Sequence, residues 1–268
     1  MSIETVSVTP VAPPSPSVPP TGAEPVTICS ATGLALIKYP AKGTWRVFKT
    51  AFGPLAGRPR TSEDPSDWNR FDLPDAATLY SSTDPQGAYA EVLAPLRPRI
   101  EELSALAAAV FDDVDPGDNP IAAEWAEKGH MHVGSIPKVW HAERNLVQID
   151  VATDGWYIDI EHPVSLQVLR SQFAGLLTER GLEDFDVSVI RGHDRLVTCA
   201  VAEWVNGLYL EDGSVPLGIR YNSRHATDWE CWATFPDTKT IAAHTIGLDH
   251  ANTDLRAIAR LFKLRLHW

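Results

Sequence analysis

Cysteine is scarce in this chain. Three residues, Cys29, Cys199 and Cys231, in a length of 268 are too few and too scattered for a disulfide framework or a paired-cysteine zinc site. Cys199 and Cys231 stand among apolar and aromatic neighbours and read as buried thiols. Positive charge is also short: 23 Lys and Arg face 35 Asp and Glu, for a formal net charge of −12. That balance excludes a protein that grips a nucleic-acid backbone without regard to sequence, since such binding rests on cations neutralising phosphates. A polybasic membrane anchor is excluded on the same ground. Long apolar runs are missing too; the longest, Ala105 to Phe111, falls far short of the ~20 residues that span a bilayer. The opening MSIETVSVTP has neither a basic segment nor an apolar one, so no secretory signal is read and a reducing cytoplasm is expected. Glycine-rich nucleotide loops, HExxH, GxSxG and EF-hand patterns are absent. His130, His132 and His141 form a weak metal-like pattern without a carboxylate or cysteine at ligand spacing, and they read as surface histidines with no metal.

What is present is a globular chain, 44% hydrophobic, with an unusual beginning. Seven of its 21 prolines fall before residue 29, which predicts an extended, solvated tail over residues 1–28 and a single domain over 29–268. Within the domain, Trp45–Phe48 and Ala77–Ser81 read as strands and Ala51–Asn69 as a loop. Thr83-Asp84-Pro85-Gln86 carries helix-start signals, and that helix runs through Glu91 towards Pro95. A further helix is expected over 98–111, then a loop over 112–120. Val147–Val151 and Val187–Ile190 are strand candidates, and Ser165–Arg180 is an amphipathic helix closed by Gly181. Leu196–Val205 is apolar enough for either a buried helix or a strand. Gly218–Tyr221 and Glu230–Phe235 read as strands, and Thr253–Leu264 as a last helix. The irregular interleaving predicts a mixed α+β fold rather than a doubly wound parallel sheet.

The segment from Trp45 to Leu93 holds the residue types that do chemistry. Arg46 follows Trp45, Arg70 sits inside Asn69-Arg70-Phe71-Asp72, Tyr80 ends a strand, and Glu91 lies on the next helix. Gly87 and Ala88 share the face of Glu91 and leave room beside its carboxylate.

Together with Gly218-Ile219-Arg220-Tyr221-Asn222-Ser223-Arg224, these blocks, in this order, resemble the RES domain family, named for an Arg, a Glu and a Ser. The resemblance covers roughly residues 41–235. It implies an ADP-ribosyltransferase-like fold and cleavage of the nicotinamide–ribose bond of NAD⁺ by hydrolysis or phosphorolysis. NAD⁺ is then a substrate, with inorganic phosphate as a co-substrate in the second case, and no cofactor is required. It also implies the toxin of a toxin–antitoxin pair, with a cognate antitoxin as partner. By motif match, Arg46, Glu91 and Ser223 are the catalytic set, and Arg70, Tyr80 and Tyr221 bind substrate. The chain departs from the family pattern at Asn69, where many members have Gly, and in the long span between Glu91 and Ser223. Two other functions remain open on the sequence: ADP-ribosyl transfer to a macromolecule, and a silent nucleotide-binding module.

Overall fold

The computed structural model describes residues 26–98, 134–247 and 252–267. The expected helix over 98–111, the loop over 112–120, His130 and His132 lie outside these residues, as do residues 1–25 of the Pro-rich tail. The last residues assigned to that tail are part of the fold: Thr27–Ile28 is strand β1 and pairs antiparallel with β2, Ala35–Ile37.

The chain continues through β3 (Thr44–Lys49), β4 (Leu79–Ser82), helix α1 (Pro85–Leu93), β5 (Ser135–Ile136), α2 (Lys138–Ala142), β6 (Arg144–Val151) and β7 (Tyr157–Asp159). Then come α3 (Pro163–Gln172), α4 (Ala174–Glu179), α5 (Val187–Arg191), α6 (Arg195–Asn206), β8 (Gly218–Asn222), β9 (Glu230–Thr234), β10 (Thr240–Gly247), α7 (Thr253–Leu261) and β11 (Arg265–Leu266). Nine strands form one sheet in the order β1-β2-β7-β8-β9-β4-β3-β6-β10. Its neighbours pair antiparallel except β7 with β8. The fold is mixed α+β.

Local chemistry sets the helices. Asp84 caps α1 by accepting from the Gln86 amide, and Pro85 opens its first turn, where its missing N–H costs nothing. Asp194 caps α6 through the Leu196 and Val197 amides. Val197, Val201 and Val205 of α6 recur every four residues and are fully buried, which settles that segment as a helix. Val187–Ile190 is helical, not extended: Asp186 accepts from the amides of Ser188 and Val189, and that cap outweighs the β-branched side chains. The predicted helix over 165–180 starts earlier, at Pro163, and is interrupted at Phe173, whose backbone is at φ −104°, ψ 14°. Gly181 stops it with φ +68°. The last helix ends at Leu261, short of the predicted Leu264; Lys263 follows in the left-handed region at φ 56°.

Two main cores hold the sheet. On one face α3 to α6 pack against Ile219 and Tyr221 of β8 and Cys231 and Ala233 of β9. The alternate residue of β9, Trp232, turns to the other face and meets Tyr157 edge-on at 5.0 Å, as the two-residue period of a strand requires. The second core joins α1 to α7, with Tyr89, Leu93, Leu255 and Ile258 fully or almost fully buried. The sheet forks between these halves. β3 and β4 share one pair, Trp45 with Ser82, and then part, while β3 stays on β6 and β4 stays on β9.

Candidate functional site

A cavity of about 420 Å³ lies at this fork, within the range of small-molecule sites. Arg46, Arg70, Tyr80, Glu91 and Tyr221 all line it. Ser223 touches it through Glu91. Six residues spread over 178 positions of sequence, from 46 to 223, are thus brought to one place by β3, β4, α1, β8 and the loop before β4.

Arg46 bridges the fork. Its Nη1 donates to the Tyr80 carbonyl at 3.0 Å, where a continued ladder would have supplied an amide, and its Nη2 donates to the Ala56 carbonyl at 2.8 Å. Burial lowers its pKa to about 10. Among the described residues it has no carboxylate partner, and its buried Nε has no hydrogen-bond acceptor. Both of these hydrogen bonds hold backbone across the fork, so its first role is to keep the cavity open.

The loop that presents Arg70 is clamped from inside. The Asp72 carboxylate accepts from the Asn69 amide at 2.7 Å and from the Tyr80 hydroxyl at 2.8 Å. The same hydroxyl accepts from the Phe71 amide at 2.9 Å, and burial together with the Asp72 charge holds its pKa well above the usual tyrosine range. Asn69 therefore does the work of a turn residue through its ties to Asp72, which explains how the loop forms without glycine. Tyr80 is a fixed neutral wall.

On this loop Arg70 is 7% exposed. Its guanidinium lies 5.1 Å over the Tyr221 ring, and neither its Nε nor its Nη1 has a hydrogen-bond partner among the described residues. A guanidinium in that state has lost water without gaining an acceptor, a costly arrangement unless a ligand completes it.

Glu91 is the one carboxylate among the lining residues. Ser223, fully buried, donates its hydroxyl to Glu91 Oε1 at 2.6 Å and accepts the His225 amide at 3.1 Å. The carboxylate only accepts and the hydroxyl has one proton to give, so Ser223 donates to Glu91 while it accepts from the amide. Ser223 thus positions the carboxylate, and among the described residues no histidine ring accepts its proton as in a Ser–His pair. The room foreseen beside Gly87 is filled by Ser82 and Trp229, where a Cβ would collide. Ala88 does line the cavity.

Two lining arginines escaped the sequence reading as site residues, Arg58 and Arg195; a third, Arg224, closes the Gly218–Arg224 block and is given no role by the resemblance. Arg195 opens α6, and the Asp194 cap before it was the available signal. Arg58 lies in a Gly/Pro loop with no signal at all. Burial, then the neighbouring charges of Arg70 and Arg224, lowers the pKa of Arg195; burial and Arg70 do the same to Arg224. Five arginines against one glutamate give this cavity a strongly positive field inside an acidic protein.

Among the described residues no group of His, Cys, Asp or Glu is arranged to hold a metal, and no helix is long and apolar enough to cross a membrane. No family model, curated protein or solved structure matches the chain.

Proposed function

We propose that this protein cleaves the nicotinamide–ribose bond of NAD⁺, by hydrolysis or by phosphorolysis. The observation that carries the reading is the single, oriented carboxylate of Glu91 in a cavity otherwise walled by arginines. A dinucleotide pyrophosphate carries two negative charges, and guanidinium groups meet its oxygens with paired hydrogen bonds. Arg70, with two unpartnered guanidinium nitrogens among the described residues, is best placed for that contact.

Loss of nicotinamide builds positive charge on the ribose, as in glycoside cleavage. A carboxylate held beside C1′ stabilises that charge, and more so where arginines and aromatic walls exclude water. Ser223 keeps the oxygen of Glu91 in place through the reaction. Tyr80 supplies a flat wall for the leaving nicotinamide, its hydroxyl already engaged and so uninvolved in proton transfer. Water or phosphate then attacks C1′. Attack by water gives ADP-ribose, nicotinamide and a proton; attack by phosphate gives the ADP-ribose 1-phosphate ester and nicotinamide. The reading places the protein in the cytoplasm, which suits its three buried free thiols.

The test is release of nicotinamide from NAD⁺ by purified protein, with and without phosphate, beside Glu91→Gln. Release that depends on Glu91 supports the reading. No release under either condition, or full activity in Glu91→Gln, removes it. Tight NAD⁺ binding without release would replace it with a nucleotide-binding module.

A further inference from the structure

Arg195 lines two neighbouring recesses. On one side is the cavity of Glu91; on the other is a groove of about 460 Å³ walled by Trp68, Arg180, His193 and Leu196. The ridge between them is cationic. Arg224 Nη1 sits 2.9 and 3.1 Å from the two ring nitrogens of His193, and Arg195 Nη1 donates to the Gly192 carbonyl at 3.2 Å.

The groove has the character of a base site. Its one carboxylate, Asp194, is already spent: Oδ1 accepts from the Leu196 and Val197 amides, and Oδ2 accepts from Arg180 Nε at 2.8 Å. An incoming phosphate therefore meets no free negative charge among the lining residues. Trp68 is held rigidly, with Nε1 donating to the Ser62 carbonyl at 2.6 Å and the Arg60 guanidinium 4.3 Å from its ring. A fixed indole beside the half-exposed Leu196 makes an apolar wall, and flat bases gain affinity on such walls whatever their sequence identity.

We propose that this groove is the subsite for the purine-nucleoside half of a dinucleotide. The other half lies beside Glu91, and the pyrophosphate crosses the Arg195–Arg224 ridge between them, with Arg70 the neighbouring charge on the Glu91 side. The proposal rests on the NAD⁺-cleavage reading for which half occupies which recess. Two recesses joined by arginines match a ligand made of two ring-bearing halves joined by two phosphates, whereas a mononucleotide would leave one recess unused.

The experiment is calorimetric binding of ADP-ribose and of inorganic pyrophosphate, which share the pyrophosphate group, the free ion carrying the higher charge. The proteins are the wild type, Leu196→Trp, which fills the groove from an exposed position, and Trp68→Leu. The wild type should bind ADP-ribose at least tenfold tighter than pyrophosphate. Each variant should lose about tenfold for ADP-ribose and keep its affinity for pyrophosphate. Equal affinity of the two ligands for the wild type, absence of ADP-ribose binding, or ADP-ribose affinity unchanged in Leu196→Trp would overturn the proposal. Should Trp68→Leu fail to fold, Leu196→Trp decides alone. The two readings fail separately. ADP-ribose binding with this variant pattern but no nicotinamide release removes the enzyme and keeps the subsite. Release from NAD⁺ and from nicotinamide mononucleotide with the same KM removes the subsite and keeps the enzyme.

Discussion

Two arginines of this protein, one largely buried and one buried, have opposite surroundings. Arg220, on β8, meets Asp159 Oδ1 at 3.3 Å and Glu230 Oε1 at 2.5 Å. Burial works against its charge, but these two carboxylates outweigh it and raise its pKa. Arg70 is more deeply buried still, and among the described residues it finds the ring face of Tyr221 and no acceptor for Nε or Nη1. Folding alone explains Arg220: its partners come from β7 and β9, the strands on either side of it, and the three side chains tie the sheet together. Folding alone does not explain Arg70. A guanidinium buried without a counter-charge beside Arg195 and Arg224 is a liability that an anionic ligand turns into affinity.

The largest effect that sharpens this contrast is chemical. Glu91→Gln keeps the shape of the cavity and removes its one negative charge, so nicotinamide release should fall by a factor on the order of 10² to 10³ while the melting temperature stays within a degree or two. Initial rates measured at saturating NAD⁺ check it.

The second effect is on stability. Arg220→Met strands Asp159 and Glu230 and should cost about 2 kcal/mol, a value reduced because the group is partly exposed. Arg70→Met strands nothing and should leave stability equal or higher. Urea unfolding of the two variants side by side would break the comparison if Arg70→Met proved the more damaging.

Ser223→Ala leaves Glu91 unheld and the His225 amide without its acceptor. Release of nicotinamide should drop about tenfold, the worth of one hydrogen bond to a charged group, with kcat affected more than KM.

The smallest effect is in pH. His193 has its pKa lowered from 6.5, first by the Arg224 charge and then by burial; His225 has its pKa lowered by burial first. The unfolded chain therefore takes up these protons before the folded one. Stability is fully present above pH 6.5 and is lost as the pH falls through the lower folded values. Melting temperature against pH should show that decline, and His193→Gln should flatten it.

Much of the site was legible because its residues sit in short blocks with strong local chemistry. Asp84 and Pro85 announced the helix that carries Glu91, and Ser223 followed a strand whose alternation was plain. The rest depended on distance. Strands β2, β7 and β10 passed unnoticed because two of them are three residues long and the third is an edge strand with exposed residues, too short or too polar for a two-residue period to show. Val187–Ile190 misled because β-branched side chains outvoted the Asp186 cap in a four-residue window. Arg195 and Arg58 reach the cavity from segments far from Glu91 in sequence, and no spacing rule links them. The fork between β3 and β4, which makes the cavity, is a failure of pairing, and a strand's own residues do not record which neighbour it leaves.

The central claim is that Arg70 is buried for a ligand rather than for the fold. Its most direct test is calorimetric binding of ADP-ribose to the wild type and to Arg70→Met, with melting curves of both proteins. The account predicts at least a tenfold loss of affinity in Arg70→Met at an unchanged or raised melting temperature. Undiminished binding, or a variant that melts well below the wild type, would contradict it.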